Sequence, residues 1–153
     1  MFDRDQFEEV IAGVLNNLGL YSLSAVNLLL GTAAQESRFG TYLMQISGPA
    51  LGVFQMEPAT EEDIWWNYLR FRSELRGRVI QHTLIGFPTP PALIWNLAYS
   101  IAMARITYYR APDPLPLPDD IQGLASYWKK IYNTPQGRGR VEEFVRSYKK
   151  YVL

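Results

Sequence analysis

Glu36 is the residue whose setting most invites chemistry. It ends a helical run that is apolar nearly all round as far as Ala34, and it precedes Gly40 and a glycine-rich stretch. Two effects raise the pKa of a carboxyl group placed there. Burial disfavours the charged form, and a helix C-terminus presents partial negative charge. An acid kept protonated near neutrality can give a proton to a leaving oxygen, the step that glycosidic cleavage needs. The ordinary alternative is a surface glutamate at a helix end. Other chemistries have fewer means. The chain has no cysteine, so a thiol nucleophile, a disulfide and a thiolate metal site are all excluded. The single histidine, His82, lies in the polar stretch Gln81-His82-Thr83 and carries no assigned role. No metal or cofactor is implied.

The elements that must position Glu36 read as helices. At 153 residues the chain fits one domain, 1–153. Phe7, Val10, Ile11, Val14, Leu15 and Leu18 recur at three- and four-residue spacing, which predicts an amphipathic first helix ending near Gly19. Ser22 or Ser24 caps a second helix through Val26, Leu29, Leu30 and Ala33, expected at the centre of the core and closed by Gly40. Residues 40–59 are irregular, broken by Gly40, Gly48, Pro49, Gly52 and Pro58, with room for a short hairpin around Ser47-Gly48-Pro49. Thr60 and Asp63 resemble a capping box for a helix through Ile64, Trp65, Tyr68 and Leu69. A helix over roughly 73–84 follows. A turn at 86–91 leads to a long helix opening at Pro90 or Pro91 and running to about Arg110. Four prolines in residues 111–118 predict an extended connector. Asp119 or Asp120 starts a helix through Leu124, Tyr127, Trp128 and Ile131, and the last helix carries Val141, Phe144, Val145 and Tyr148. The fold class is all-α, with six or seven helices around one core and at most a short β-hairpin.

Three segments then carry a resemblance. Glu36-Ser37-Arg38-Phe39-Gly40, Gly52-Val53-Phe54-Gln55 with Pro58-Ala59-Thr60, and Tyr132-Asn133-Thr134 occur in the order found in soluble lytic transglycosylases and goose-type lysozymes. The pattern there is a Glu-Ser pair, a Gly-Leu-Met-Gln-like segment ending near Pro-x-Thr, and a later Tyr-Asn. The resemblance spans roughly residues 25–135 and implies a lysozyme-like helical domain. It makes Glu36 the general acid and later the base. Ser37 would support the Glu36 backbone or line the cleft, and Gln55 would shape the floor of the sugar groove. Tyr132 would approach the Glu36 carboxyl group, with Asn133 nearby. Val53-Phe54 departs from Leu-Met, apolar for apolar, and Ile131 stands where alanine is usual.

Glu57 bears on the reaction type. Lytic transglycosylases typically carry an apolar residue there, and the substrate's own hydroxyl attacks to give a 1,6-anhydro product. Goose-type lysozymes resemble this chain in having an acid two residues after the glutamine. A second carboxylate can activate water, and inverting hydrolysis wants the two groups about 6.5–9.5 Å apart. The plain alternative is that Glu57 joins Glu61, Glu62 and Asp63 as the acidic start of a helix. Both reactions stay open, with Glu57 favouring hydrolysis. Flat aromatic side chains suit pyranose rings. Trp65, Trp66, Tyr68, Tyr99 and Tyr132 are candidates, although most aromatics at helical spacing are core, and Tyr42, between the first two motifs, is placed to edge the cleft.

The expected activity is cleavage of the β-1,4 bond between N-acetylmuramic acid and N-acetylglucosamine in bacterial peptidoglycan, with chitin-type polymers also open. A lytic transglycosylase and an inactive glycan-binding or structural module of the same fold are the alternatives. Fifteen basic and fifteen acidic residues balance to zero, which gives no field for attracting nucleic acid. Arg138, Arg140, Arg146, Lys149 and Lys150 form a basic C-terminal patch, either a wall-attracting surface or a solvated helix face pairing with Glu142 and Glu143. No apolar run is long enough to span a membrane, and the charged Met1-Phe2-Asp3-Arg4-Asp5 does not read as a signal peptide. The compact form resembles phage-encoded members of the family. These are either virion-borne or made in the host cytoplasm to act on the wall, with other virion or lysis proteins as partners.

Overall fold

The computed structural model describes residues 1–153. It is all-α, with eight helices: α1 (Arg4–Leu18), α2 (Leu23–Ser37), α3 (Pro58–Asn67), α4 (Ser73–Thr83), α5 (Ala92–Trp95), α6 (Leu97–Tyr109), α7 (Ile121–Tyr127) and α8 (Val141–Tyr151). A 3-10 turn (Leu69–Phe71) follows α3 and a π-helical turn (Trp128–Asn133) follows α7. No helix is long and apolar enough to cross a membrane.

Local chemistry sets the ends. Asp3 caps α1 by accepting from the Gln6 amide at 3.1 Å, and Ser22 caps α2 by accepting from Ala25 at 3.0 Å. Of the stripe read for α1, Phe7, Ile11, Leu15 and Leu18 are buried, whereas Val10 is exposed. The expected box of Thr60 and Asp63 does not form. Glu57 is the N-cap residue of α3 and Pro58 its first residue, where the missing amide costs nothing. Asp63 instead pairs with Arg110 at 2.7 Å. Glu61 is not part of an acidic solvent-facing start either. It is fully buried, accepting from the Tyr99 hydroxyl at 2.5 Å and the Thr89 amide at 2.7 Å, while Trp65 Nε1 donates to Tyr99 Oη at 2.8 Å.

The long helix expected to reach Arg110 is two helices. Asn96 adopts an extended conformation between them. Its side chain accepts from the Tyr99 amide at 3.0 Å, capping α6, and donates to Thr83 O at 2.8 Å. The hairpin read around residues 47–49 is reduced to isolated antiparallel bridges, Met44 with Leu51 and Leu51 with Met56.

α2 and α6 are both buried nearly all round. α2 packs against α1, α6, α7 and α8. α6 divides the interior. Ile101, Ala104 and Tyr108 face the larger cluster, which contains α2, Phe54, Trp128 and Phe144. Tyr99, Ala102, Met103 and Ile106 face a second cluster with Met56, Ile64, Trp65, Val79 and Leu93. Residues 111–118 cross the surface as the extended connector read from their prolines, tied by Tyr127 Oη to Asp113 O at 2.8 Å and by Asn27 Nδ2 to Pro118 O at 2.9 Å.

Candidate active site

Glu36 lies in the last turn of α2. Three successive residues with positive φ, Arg38 (51°), Phe39 (53°) and Gly40 (76°), then turn the chain sharply. The helix therefore closes on Arg38 in the left-handed region, two residues before the glycine expected to do so. Ser37 holds this turn: its hydroxyl accepts from the Gly40 amide at 2.8 Å and lies 3.2 Å from Ala33 O, to which it donates. Phe39 anchors it from below, buried against Phe7 at 5.6 Å between ring centroids.

Part of Glu36 opens onto a cleft of about 600 Å³. Its carboxyl group sits deep enough that burial raises the pKa to about 7, against the lowering effect of a hydrogen bond from Trp128. That bond, Nε1 to Oε1 at 2.9 Å, fixes the carboxyl group from a residue 92 positions away in the sequence. Trp128 is itself fully buried, packed on Phe144 at 5.4 Å.

The second wall is the segment 52–57. Gly52 has a φ of 78°, and a Cβ there would lie 2.0 Å from Leu93 O. The turn it makes sends Val53 and Phe54 into the core and returns Gln55 to the cleft. Gln55 has a positive φ of 47° and bonds back on the turn through Nε2 to Gly52 O at 2.9 Å. Tyr132 joins this wall to the π-helical turn. Its hydroxyl donates to Phe54 O at 2.8 Å and its ring stacks on Tyr108 at 5.3 Å. Burial and the neighbouring Glu36 hold its phenol well above the ordinary tyrosine value. A π turn accommodates one more residue per hydrogen-bonded ring than an α turn, a deviation common at functional sites.

The remaining wall is the loop after Asn133. Thr134 has φ 71° and ψ 157°, a region that residues other than glycine seldom occupy. Lys129 Nζ pins the loop by bonding Asn133 Oδ1 at 2.6 Å and Gly137 O at 2.8 Å.

Five of the residues read from sequence thus line one cleft: Glu36, Gln55, Glu57, Tyr132 and Asn133. Glu57 is exposed there, at the N-cap of α3, and its side chain makes no capping bond. Two do not belong to it. Ser37 is fully buried, so it supports the Glu36 turn and touches no ligand. Tyr42 is exposed outside the cleft, beneath the Arg38 guanidinium at 5.6 Å and accepting from Arg38 Nη1 at 3.2 Å. Among the aromatic candidates, Trp65 and Tyr99 are core residues, Trp66 is exposed outside the cleft and Tyr68 lies under Arg72 at 3.8 Å, leaving Tyr132 alone in the cleft. Sequence reading missed Trp128 as the partner of Glu36 and Gln45 and Thr107 as cleft walls, and it gave no cleft role to Thr60 and Thr134, which end two of the motif segments and also line the cleft. It placed Arg138 in a C-terminal basic patch, whereas Arg138 lines the cleft. No three of the His, Asp and Glu side chains gather closely enough to hold a metal ion.

Comparison with protein-family models, with curated proteins and with solved structures finds no match.

Proposed function

We propose that the protein is a peptidoglycan-cleaving glycosidase acting on the β-1,4 bond between N-acetylmuramic acid and N-acetylglucosamine, with Glu36 as its acid. One observation carries the reading: a carboxyl group held at a pKa of about 7 by burial opens onto a cleft that also contains a second carboxylate, Glu57. Near neutrality a large share of Glu36 is protonated. The Trp128 N–H donates to Oε1, so the proton resides on the other oxygen, free to pass to the glycosidic oxygen as the bond breaks. Glu57, exposed and facing the same space, accepts a proton from a water attacking the sugar on its opposite side. The motif order shared with goose-type lysozymes supports the same assignment of roles.

A second reading shares every step but the last. Of the two carboxyl groups in the cleft only Glu36 is shielded from solvent, and Glu57 is also the N-cap residue of α3. In a lytic transglycosylase the ionised Glu36 takes the proton from the substrate's own hydroxyl, and a 1,6-anhydro sugar leaves. Release of soluble fragments from purified peptidoglycan tests the shared reading. The rate should fall as pH rises through about 7, as Glu36 loses its proton. An equal rate at pH 5 and pH 9 contradicts it.

A further inference from the structure

The cleft holds one cation, Arg138, and the loop around it is built to present that side chain. On one side, a Cβ at Gly137 would lie 2.3 Å from Asn133 O, and on the other a Cβ at Gly139 would lie 2.6 Å from the Trp128 ring. The backbone therefore folds tightly back on Asn133 at Gly137 and lies against the Trp128 ring at Gly139, and the residue between them is the arginine. Lys129 fastens the loop through Asn133 and Gly137, and the left-handed backbone of Thr134 starts it. Strain of this kind persists only where the surroundings over-determine it. Arg138 itself is exposed. The six ion pairs of the protein involve Arg4, Arg78, Arg110, Lys130 and Arg140, and Arg138 takes part in none. It makes no side-chain hydrogen bond either. A guanidinium that is positioned on a cleft wall and left unpartnered has its full set of donors available to a ligand, and its fork matches a carboxylate.

Resting on the glycosidase reading, we infer that Arg138 is a specificity residue that binds a carboxylate carried by the glycan, so that the cleft selects an acidic glycan over a neutral one. Two sources supply that chemistry. In intact peptidoglycan the free carboxylates belong to the peptide stem. When the stem is removed, the lactyl ether of the muramic acid ring bears one. A chitin oligosaccharide of the same length bears none.

The test is binding by the full chain carrying Glu36→Gln, which prevents turnover, with and without Arg138→Ala or Arg138→Lys. The probes are a stem-bearing muroglycan, a stem-free muroglycan and a chitin oligosaccharide of matched length. Arg138→Ala should weaken binding of at least one acidic glycan about tenfold, as the loss of a charge-assisted pair implies. Binding of the chitin oligosaccharide should change less than twofold. Arg138→Lys should recover part of the loss, because it restores the charge and not the fork. The acidic probe that responds names the source of the carboxylate. Equal weakening for all three glycans, no weakening for any, or no binding of any glycan by the Glu36→Gln chain overturns the inference. The two readings fail separately. If the wild-type chain releases no fragments from peptidoglycan while the selective loss persists, the glycosidase reading falls and Arg138 stands. If fragments are released and the loss is unselective, the reverse holds.

Discussion

At the residue scale, Glu36 and Trp128 form a unit in which the indole N–H fixes the carboxyl group and tempers its raised pKa, the two properties that the proposed acid role depends on. The hydrogen bond from Trp128 stabilises the ionised carboxylate, so it lowers a pKa that burial raises. Trp128→Phe keeps most of the packing on Phe144 and removes that bond. The pKa of Glu36 should then rise further, moving the alkaline limb of the activity profile to higher pH, with kcat reduced because the carboxyl group is no longer held. A profile that stays in place while kcat falls would mean that Trp128 acts through packing alone. Glu57→Gln separates the two roles of its parent residue. Water activation predicts turnover at least tenfold lower, about 1.4 kcal/mol in the barrier, whereas a helix-start residue that makes no capping bond predicts normal turnover. Glu36 was legible in the sequence because an apolar run that ends in an acid marks where a buried helix reaches a surface. Trp128 was not, because an aromatic at helical spacing looks the same whether its N–H meets a carboxylate or nothing. Of the two roles read for Ser37, it takes the support of the Glu36 turn and not the lining of the cleft, for a geometric reason: consecutive residues on a helix point about 100° apart, so the neighbour of a cleft residue faces the core.

At the scale of elements, the cleft exists because two irregular segments are fixed against regular ones. The turn at Gly52 lies against the α5 backbone, and Tyr132 Oη ties the same turn to the π-helical segment. Gly52→Ala places a methyl group 2.0 Å from Leu93 O at a φ of 78°. The combined overlap and left-handed strain should cost about 3 kcal/mol, a Tm lower by about 10 °C in a chain of this length. An unchanged Tm would show that the segment shifts freely and does not rigidly frame Gln55 and Glu57. The helices themselves were largely legible from periodicity and caps, as α1 shows with its buried stripe and α2 with its Ser22 cap. The break at Asn96 was not. α6 is buried on all sides, so its apolar pattern has no phase to lose, and an asparagine within it reads as an interruption that a helix tolerates. The pairing of Thr60 with Asp63 failed because Pro58 fixes the helix start two residues earlier, and Arg110, distant in sequence, takes the aspartate. The loop at 137–139 has the composition of a flexible connector. Only the packing of Trp128 and Asn133 shows that its glycines are there for close approach.

At the scale of the whole molecule, the buried carboxyl group of Glu36 ties the proposed activity to stability. The folded pKa of Glu36, about 7, lies above the value of 4.5 for an unperturbed glutamate. The folded state therefore holds the proton more tightly than the unfolded state, and stability is lost as pH rises from about 4.5 through about 7. For one group this loss amounts to about 3 kcal/mol. Glu61, whose buried carboxyl is also pushed up, mainly by burial, adds a loss of the same sign. The comparison of wild type with Glu36→Gln by denaturant unfolding isolates the first contribution. The two proteins should be close in stability at pH 4, and the variant should be the more stable by about 3 kcal/mol at pH 8. Parallel curves across that range would mean that Glu36 is solvated.

The measurement that tests the central claim most directly is mass spectrometry of the sugars released from purified peptidoglycan by wild type and by Glu36→Gln. Wild type should release disaccharide fragments ending in reducing N-acetylmuramic acid, and the variant should release almost none. Fragments lighter by one water would keep Glu36 as the acid and replace hydrolysis by intramolecular transfer. Equal release by the two proteins, or release by neither, would contradict Glu36 as the acid of a wall-cleaving enzyme.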